Sequence, residues 1–441
     1  MRETSMSALA ARGILLDMRT AITCFVLLAS CRLWADLLPP KGFHKVNERV
    51  YVATGYALGN VIFITTAKGV VVVDTTESTA AAEETLREFR KVSQAPVSHI
   101  IYTHFHGDHI NGTRVFDQPG VKVIAQRNHV PELEKFRLLG PYNARLSSIQ
   151  FGADLAPEQR GVSLAIDPRI RAQRSGYIAP DVLFDEEYRF EEGGVQFELY
   201  HTQGETTDHL MVWLPHLRTL LPGDLFYWSF PMLASPMKHD RPVLKWAESV
   251  ERMRRFQPEY LVGSHSLPQA GAAKIDTMLA NYARAIRHVH DETVKLTNQG
   301  LPLWEIRERV KLPADLAELE YLQPGYGSVA WSVNGIYRQY TGWYDFNPAH
   351  LNDRGPVPAA RAVVEASGAD PLRRRAAKAM AEGDLQLTIE LTDLLVTADP
   401  ADKASHRIRA EAMEQRAKKA FNTVERNVYL LAAQESRRAS Q

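Results

Sequence analysis

Thr103-His104-Phe105-His106-Gly107-Asp108-His109 is the stretch on which the fold turns. It follows Ile100-Ile101-Tyr102, a short apolar run that predicts a buried strand. Four metal-type ligands stand within six residues at the carboxyl end of that strand. Imidazole nitrogen and carboxylate oxygen both suit zinc. They also suit iron and manganese, so the residue types alone do not select the metal. His104 and His106 are two apart and can share a face as the strand ends. Asp108 and His109 lie past a glycine turn and can aim at a second ion. Any one of these histidines alone would read as a cap or a core residue, whereas four at this spacing read as a metal centre.

Upstream, Val50-Tyr51-Val52 and Val61-Ile62-Phe63-Ile64 carry the β-branched and aromatic residues of strands. Val70-Val71-Val72-Val73 is apolar throughout, as a strand covered on both faces would be, and it ends at Asp74-Thr75-Thr76. Residues 79–92 have helical spacing, and Val121 to Ala125 forms another strand. A second strand-rich block runs from Tyr188 to Phe226, with Gly193-Gly194 as a hairpin turn and a further strand pair around Pro215-His216. Val243–Phe256 is helical, and Tyr260-Leu261-Val262 is a strand leading to Gly263-Ser264-His265. After Pro268 the strands are expected to stop, leaving helices broken by Pro302, Pro313, Pro324 and Pro348. The pattern predicts an α/β protein, with an αββα sandwich over residues 36–268 and an all-α domain over 269–441.

The 441 residues include 52 basic and 52 acidic side chains, so phosphate neutralisation on nucleic acid is not expected. Fifteen histidines accompany only two cysteines, which excludes a disulfide framework and a cysteine-rich zinc module. Both cysteines, Cys24 and Cys31, fall in residues 1–35. There a basic Arg19, an apolar run and the small Ala35 make an export-signal pattern, too short to span a bilayer. Leu28-Ala29-Ser30-Cys31 also resembles a lipobox, which would put a lipid anchor on Cys31. The expected location is periplasmic or secreted.

His104-x-His106-x-Asp108-His109 resembles the signature of the metallo-β-lactamase superfamily, and the likeness continues beyond it. His201-Thr202-Gln203-Gly204-Glu205-Thr206-Thr207-Asp208 resembles the turn that carries that superfamily's third ligand, with Glu205 in a slot usually held by histidine. Leu221-Pro222-Gly223-Asp224 resembles the strand end bearing the bridging carboxylate, and Gly263-Ser264-His265 resembles the last ligand. The glutamate is similar to that of the zinc-dependent alkylsulfatases, whose bridging carboxylate stands 19 residues later, as Asp224 does after Glu205. The stretches 282–313, 332–351 and 379–431 resemble the helical dimerisation region of those enzymes.

The resemblance implies two zinc ions, one on His104, His106 and Glu205, the other on Asp108, His109 and His265, with Asp224 between them. It also implies a homodimer through the helical domain. The implied chemistry is attack by a metal-bridging hydroxide on a small alkyl sulfate ester, with Asp108 orienting that hydroxide. Tyr326 and Arg145 persist from the family's substrate-binding stretches. An arginine and a histidine expected nearby are replaced by Gln323 and Trp331, and the sterol-carrier-like domain usual after the helices is not expected here, since the sequence ends at Gln441. A second reading therefore keeps the scaffold and changes the substrate to a lactone, β-lactam or other ester. A third keeps the metal without turnover. His201 and His209, four residues either side of Glu205, are candidates to orient a ligand or simply to face solvent.

Overall fold

The computed structural model describes residues 39–156, 159 and 175–441. The export segment, with Cys24 and Cys31, lies outside the described residues. Two sheets form the centre. The first has seven strands in sequential order: β1 Gly42–Lys45, β2 Val50–Thr54, β3 Val61–Thr65, β4 Val70–Val73, β5 Val97–Ile101, β6 Lys122–Gln126 and β7 Val182–Phe184. β1 to β4 form an antiparallel meander, and β4 to β7 run parallel. The second has six, ordered β13-β12-β11-β10-β9-β8: β8 Glu187–Glu192, β9 Val195–His201, β10 Leu210–Leu214, β11 Thr219–Leu221, β12 Tyr260–Leu261 and β13 Gln269–Ala270. Gly193 and Gly194 both have positive φ, at 50° and 81°, which the tight β8–β9 hairpin requires.

The sandwich interior is made by alternate residues of both sheets. Val50, Val52, Ile62, Ile64, Val71, Val73 and Ile101 meet Phe197, Leu199, Leu210, Val212 and Leu221. All four residues of β4 are fully buried because the helix Thr79–Phe89 covers its other face through Ala82 and Phe89. Each such side chain contributes roughly 1.5–3 kcal/mol of transfer free energy.

The outer face of the second sheet is covered by the helices Val243–Arg255, Ala272–Asn298 and Val329–Tyr340. One apolar cluster joins Met211, Trp213 and Leu220 to Trp246, Leu279, Tyr282, Val333 and Ile336. The core therefore runs across residue 268 without a break. The strands do not stop at Pro268 either: Gln269–Ala270 pairs antiparallel with β12, an edge of two residues too short to show in an apolar pattern. Beyond it the chain is helical. Helices Pro356–Ser367, Ala369–Ala381, Leu385–Ala398, Lys403–Lys419 and Thr423–Ala439 stack as successive hairpins. The last returns to the first domain: Asn427 donates to Gln150 O (2.9 Å) at the end of the helix Gly140–Gln150.

Candidate metal centre and cleft

The site lies where carboxyl ends of strands from both sheets converge. Thr103 and His104 lie just past the end of β5, His106 caps a single helical turn, and Gly107–Ile110 carries Asp108 and His109. Glu205 follows β9, Asp224 follows β11 and His265 follows β12. Backbone bonds lace this rim together. Leu210 N–H donates to Thr103 O (2.8 Å) and Asn60 N–H to Ser264 O (2.8 Å).

All seven sequence-predicted ligands meet. Their donor atoms form three overlapping triplets: His104, His109 and Asp224; His104, His106 and Glu205; and Asp108, His109 and His265. Within each triplet the atoms lie within 4.8 Å of one another. His104 Nε2 and His106 Nδ1 are 2.9 Å apart, and His106 Nδ1 is 3.6 Å from Glu205. His109 Nε2 lies 3.4 Å from Asp108 and 3.6 Å from Asp224, and His265 Nε2 lies 3.0 Å from Asp224. His109 Nε2, Glu205 Oε2 and Asp224 Oδ1 are buried with no hydrogen-bond partner. Unpaired buried polar atoms are costly, and three of them aimed into one cluster of nitrogen and oxygen donors fit divalent ions.

The surroundings set which ring nitrogen faces inward. Asp74, which ends β4, is buried and accepts hydrogen bonds from Thr103 N–H (2.9 Å), Thr103 O–H (2.9 Å) and Ser264 O–H (3.0 Å). Its Oδ2 also lies 2.8 Å from His109 Nδ1. Thr103 Oγ1 in turn meets His104 Nδ1 at 3.1 Å. One carboxylate thus turns both His104 and His109 so that their Nε2 atoms face the centre. Asp74 and Thr76 sit at φ 56° and 60°, a left-handed region unusual for residues with a Cβ, and the backbone is strained beside the ligands. His265 Nδ1 donates to Leu58 O (2.9 Å), fixing that ring the same way.

His209 does not face solvent. Burial lowers its imidazole to about 3, so it is neutral and its Nε2 accepts the Asp224 backbone N–H at 3.1 Å. His201 ties down the Glu205 turn through Thr207 O, at 3.0 Å. Burial and neighbouring cations hold His104 and His106 well below the usual imidazole range. Burial would lower His265 too, but Asp224 and Asp108 push it up to about 9. Burial opposes ionisation of Asp108, yet His109 and His265 hold it below the usual carboxylate range. Glu205 is pushed up to about 7 by burial, against the pull of Arg241.

A cleft of about 310 Å³ opens onto His106 and Glu205. Phe105, Phe136, Leu139, Tyr142, Leu146 and Met237 give it apolar walls. Lys238 and Arg241 bring two cations to its floor. Arg145 is exposed on Gly140–Gln150 and does not line this cleft. Tyr326 packs edge-on against Tyr227 at 6.1 Å and accepts a hydrogen bond from Gln150 Nε2 at 2.8 Å. Gln323 turns away, its amide donating to Ala317 O and Leu319 O. Sequence reasoning passed over Asp74, Lys238 and Arg241. The first had a signal, an acid terminating a wholly apolar strand, while the two cations had none.

Comparison with known proteins agrees with this geometry. The family profile described as Metallo-beta-lactamase superfamily matches residues 55–265, and that described as Alkyl sulfatase dimerisation matches residues 303–439. A linear primary-alkylsulfatase of Pseudomonas sp. (strain ATCC 19151) is 32% identical over 383 residues, 83% of this chain and 72% of that protein. The alkyl/aryl-sulfatase BDS1 of Saccharomyces cerevisiae is 29% identical over 92% of this chain and 66% of its own. The solved structure of the stereoselective inverting sec-alkylsulfatase Pisa1 from Pseudomonas sp. superposes with a TM-score of 0.83 at 27% identity, covering 90% of this chain and 66% of that one. The chain thus spans about two thirds of the length of most of these relatives. The chain belongs to the alkylsulfatase family of metallo-β-lactamase-fold hydrolases.

Proposed function

We propose that this chain hydrolyses the sulfate esters of small alkyl alcohols with two divalent ions, zinc in the first instance. The observation that carries the reading is the ligand cluster with its three unpartnered buried atoms, opening onto an apolar cleft with two cations at its floor. His104, His106 and Glu205 would hold one ion and Asp108, His109 and His265 the other, with Asp224 reaching both. Two such ions would lower the pKa of bound water from 15.7 to about 7 and polarise the ester oxygen.

The chain's own groups supply the rest. Asp108, ionised and set between His109 and His265, is placed to accept a hydrogen bond from the attacking water and orient it. Lys238 faces Glu205, Asp108 and Arg241 and forms no ion pair among the described residues. Its ammonium is free to hold an oxyanion head, the task left open by Gln323 and Trp331. Phe105, Phe136 and Leu139 exclude water around the alkyl tail.

The helical region supports a homodimer. In the segment 340–351, Trp343 and Phe346 are each 75% exposed and Tyr340 is 58% exposed, more apolar surface than one stretch of a monomer usually shows to water. Sedimentation of the wild type and of the double variant Trp343→Ser, Phe346→Ser tests this; a wild type at monomer mass would reject the homodimer, and a variant still at dimer mass would place its contact elsewhere. The N-terminal pattern supports export to the periplasm, testable by fractionating cells.

The activity test is sulfate release from short and long alkyl sulfates by metal-replete and chelated protein, read by ion chromatography. Metal-dependent release is expected. No sulfate, with turnover of a lactone or a cephalosporin, would move the assignment to another ester on the same scaffold.

A further inference from the structure

Glu205 has two carboxylate oxygens, and the structure treats them differently. Oε1 accepts a hydrogen bond from Arg241 NH2 and lies 3.6 Å from His106 Nδ1, while Oε2 is buried and unpartnered. Arg241 is itself 4% exposed. Its other amine donates to Met232 O at 2.6 Å, and its guanidinium lies over the Trp246 ring at 5.6 Å. Its backbone carbonyl accepts from Gln339 Nε2 at 2.6 Å, from the helix Val329–Tyr340 in the other half of the chain. The guanidinium is therefore held from three sides before any ligand arrives.

We propose that Arg241 is a positioning residue that fixes the Glu205 carboxylate for the ion it would share with His104 and His106. The inference rests on the two-ion reading above. A free carboxylate can grip an ion with either oxygen or both. Tied through Oε1 to a fixed guanidinium, the Glu205 carboxylate keeps one orientation beside His106, as the rigid imidazole more usual in that slot would. The cation also offsets the third carboxylate of the ligand set, after Asp108 and Asp224. Partners of this kind around metal ligands typically contribute 10–100-fold in affinity.

The test uses the whole chain and reads metal, not turnover. Ion stoichiometry is measured by elemental analysis, and the affinity of each site by chelator competition. Cobalt(II) absorption reports coordination number. Arg241→Lys and Arg241→Gln are compared with wild type, and Arg241→Met is made in both the wild-type and the Glu205→His backgrounds. Beside Glu205, each Arg241 change is expected to weaken the ion on His104, His106 and Glu205 by about 10–100-fold and to alter its cobalt spectrum. The ion on Asp108, His109 and His265 should be unchanged. In the Glu205→His background the sign reverses: Arg241→Met should tighten binding, because a buried cation then faces a neutral imidazole. A residue with a purely structural role would lower affinity in both backgrounds. Unchanged affinity, equal loss of both ions, or loss in both backgrounds overturns the inference. A wild type that binds no ion overturns the two-ion reading and this inference with it.

Discussion

Asp74→Asn is the sharpest single perturbation, because it changes charge and hydrogen-bond direction with almost no change in shape. The native carboxylate only accepts hydrogen bonds. His109 must therefore keep a proton on Nδ1, 2.8 Å away, and turn Nε2 to an ion. In the variant one oxygen becomes an amide NH2. Thr103 N–H, 2.9 Å from Oδ1, can only donate, so the remaining oxygen stays there and the NH2 faces His109. His109 then accepts at Nδ1 and carries its proton on Nε2, where the ion has to bind. Losing such an outer partner costs about 10–100-fold in affinity, or ~1.4–2.7 kcal/mol. The loss should fall on the ion at Asp108, His109 and His265. His104, reached only through Thr103, should suffer less. Chelator competition gives the affinities, and nitrogen chemical shifts of the histidine side chains give the tautomer. A variant that binds both ions as wild type, with His109 still protonated on Nδ1, would show that Asp74 does not set the His109 tautomer.

Three further outcomes are expected. Metal affinity should depend on pH differently at the two sites. His104 and His106 are already neutral, so their ion displaces only the Glu205 proton and its affinity levels off above about pH 7. The other ion must displace protons from His265, at about 9, and from His109, held high by Asp108 and Asp224 despite burial. Its affinity should rise with pH up to about tenfold per unit for each proton displaced, and flat competition curves would contradict this. Lys238→Met should lower kcat/KM for an alkyl sulfate about 10–100-fold, the loss of one charge-assisted hydrogen bond, while leaving ion content unchanged; unchanged kinetics would remove Lys238 from the head-group site. Gly223→Ala should destabilise the fold by more than ~1 kcal/mol and lower metal content. Gly223 has φ +56°, and a Cβ there would lie 2.7 Å from His209 Nε2, the acceptor that holds Asp224; an unchanged melting temperature would argue against that constraint.

The seven candidate ligands were legible in the sequence because each sits just past a strand end. His104 to His109 is a local pattern, and Asp224 and His265 end short apolar runs that read as strands. The supporting residues are harder to see. Asp74 is 29 residues from Thr103 and 190 from Ser264, and only the pairing of β4 with β5 and the closure of the two sheets bring them together. Arg241 reads as a surface residue before a helix until the loop 227–242 folds it under Glu205. Arg145 shows the opposite: a matching residue whose helix turns it to solvent.

The fold class, the seven candidate ligands and the family could be read from short stretches, because strand periodicity and ligand spacing are local properties. Which nitrogen of each histidine faces inward, which oxygen of Glu205 lacks a partner, and which cations line the cleft emerge from the tertiary structure alone. It also showed that the helical half is not a separate attachment. Its Leu279, Tyr282, Val333 and Ile336 complete the outer layer of the second sheet, and its Gln339 and Asn427 hold Arg241 and, through Gln150, Tyr326 in place. These are relations between residues up to 277 positions apart, and directional hydrogen bonds of this kind form only once the sheets and helices have fixed the distances.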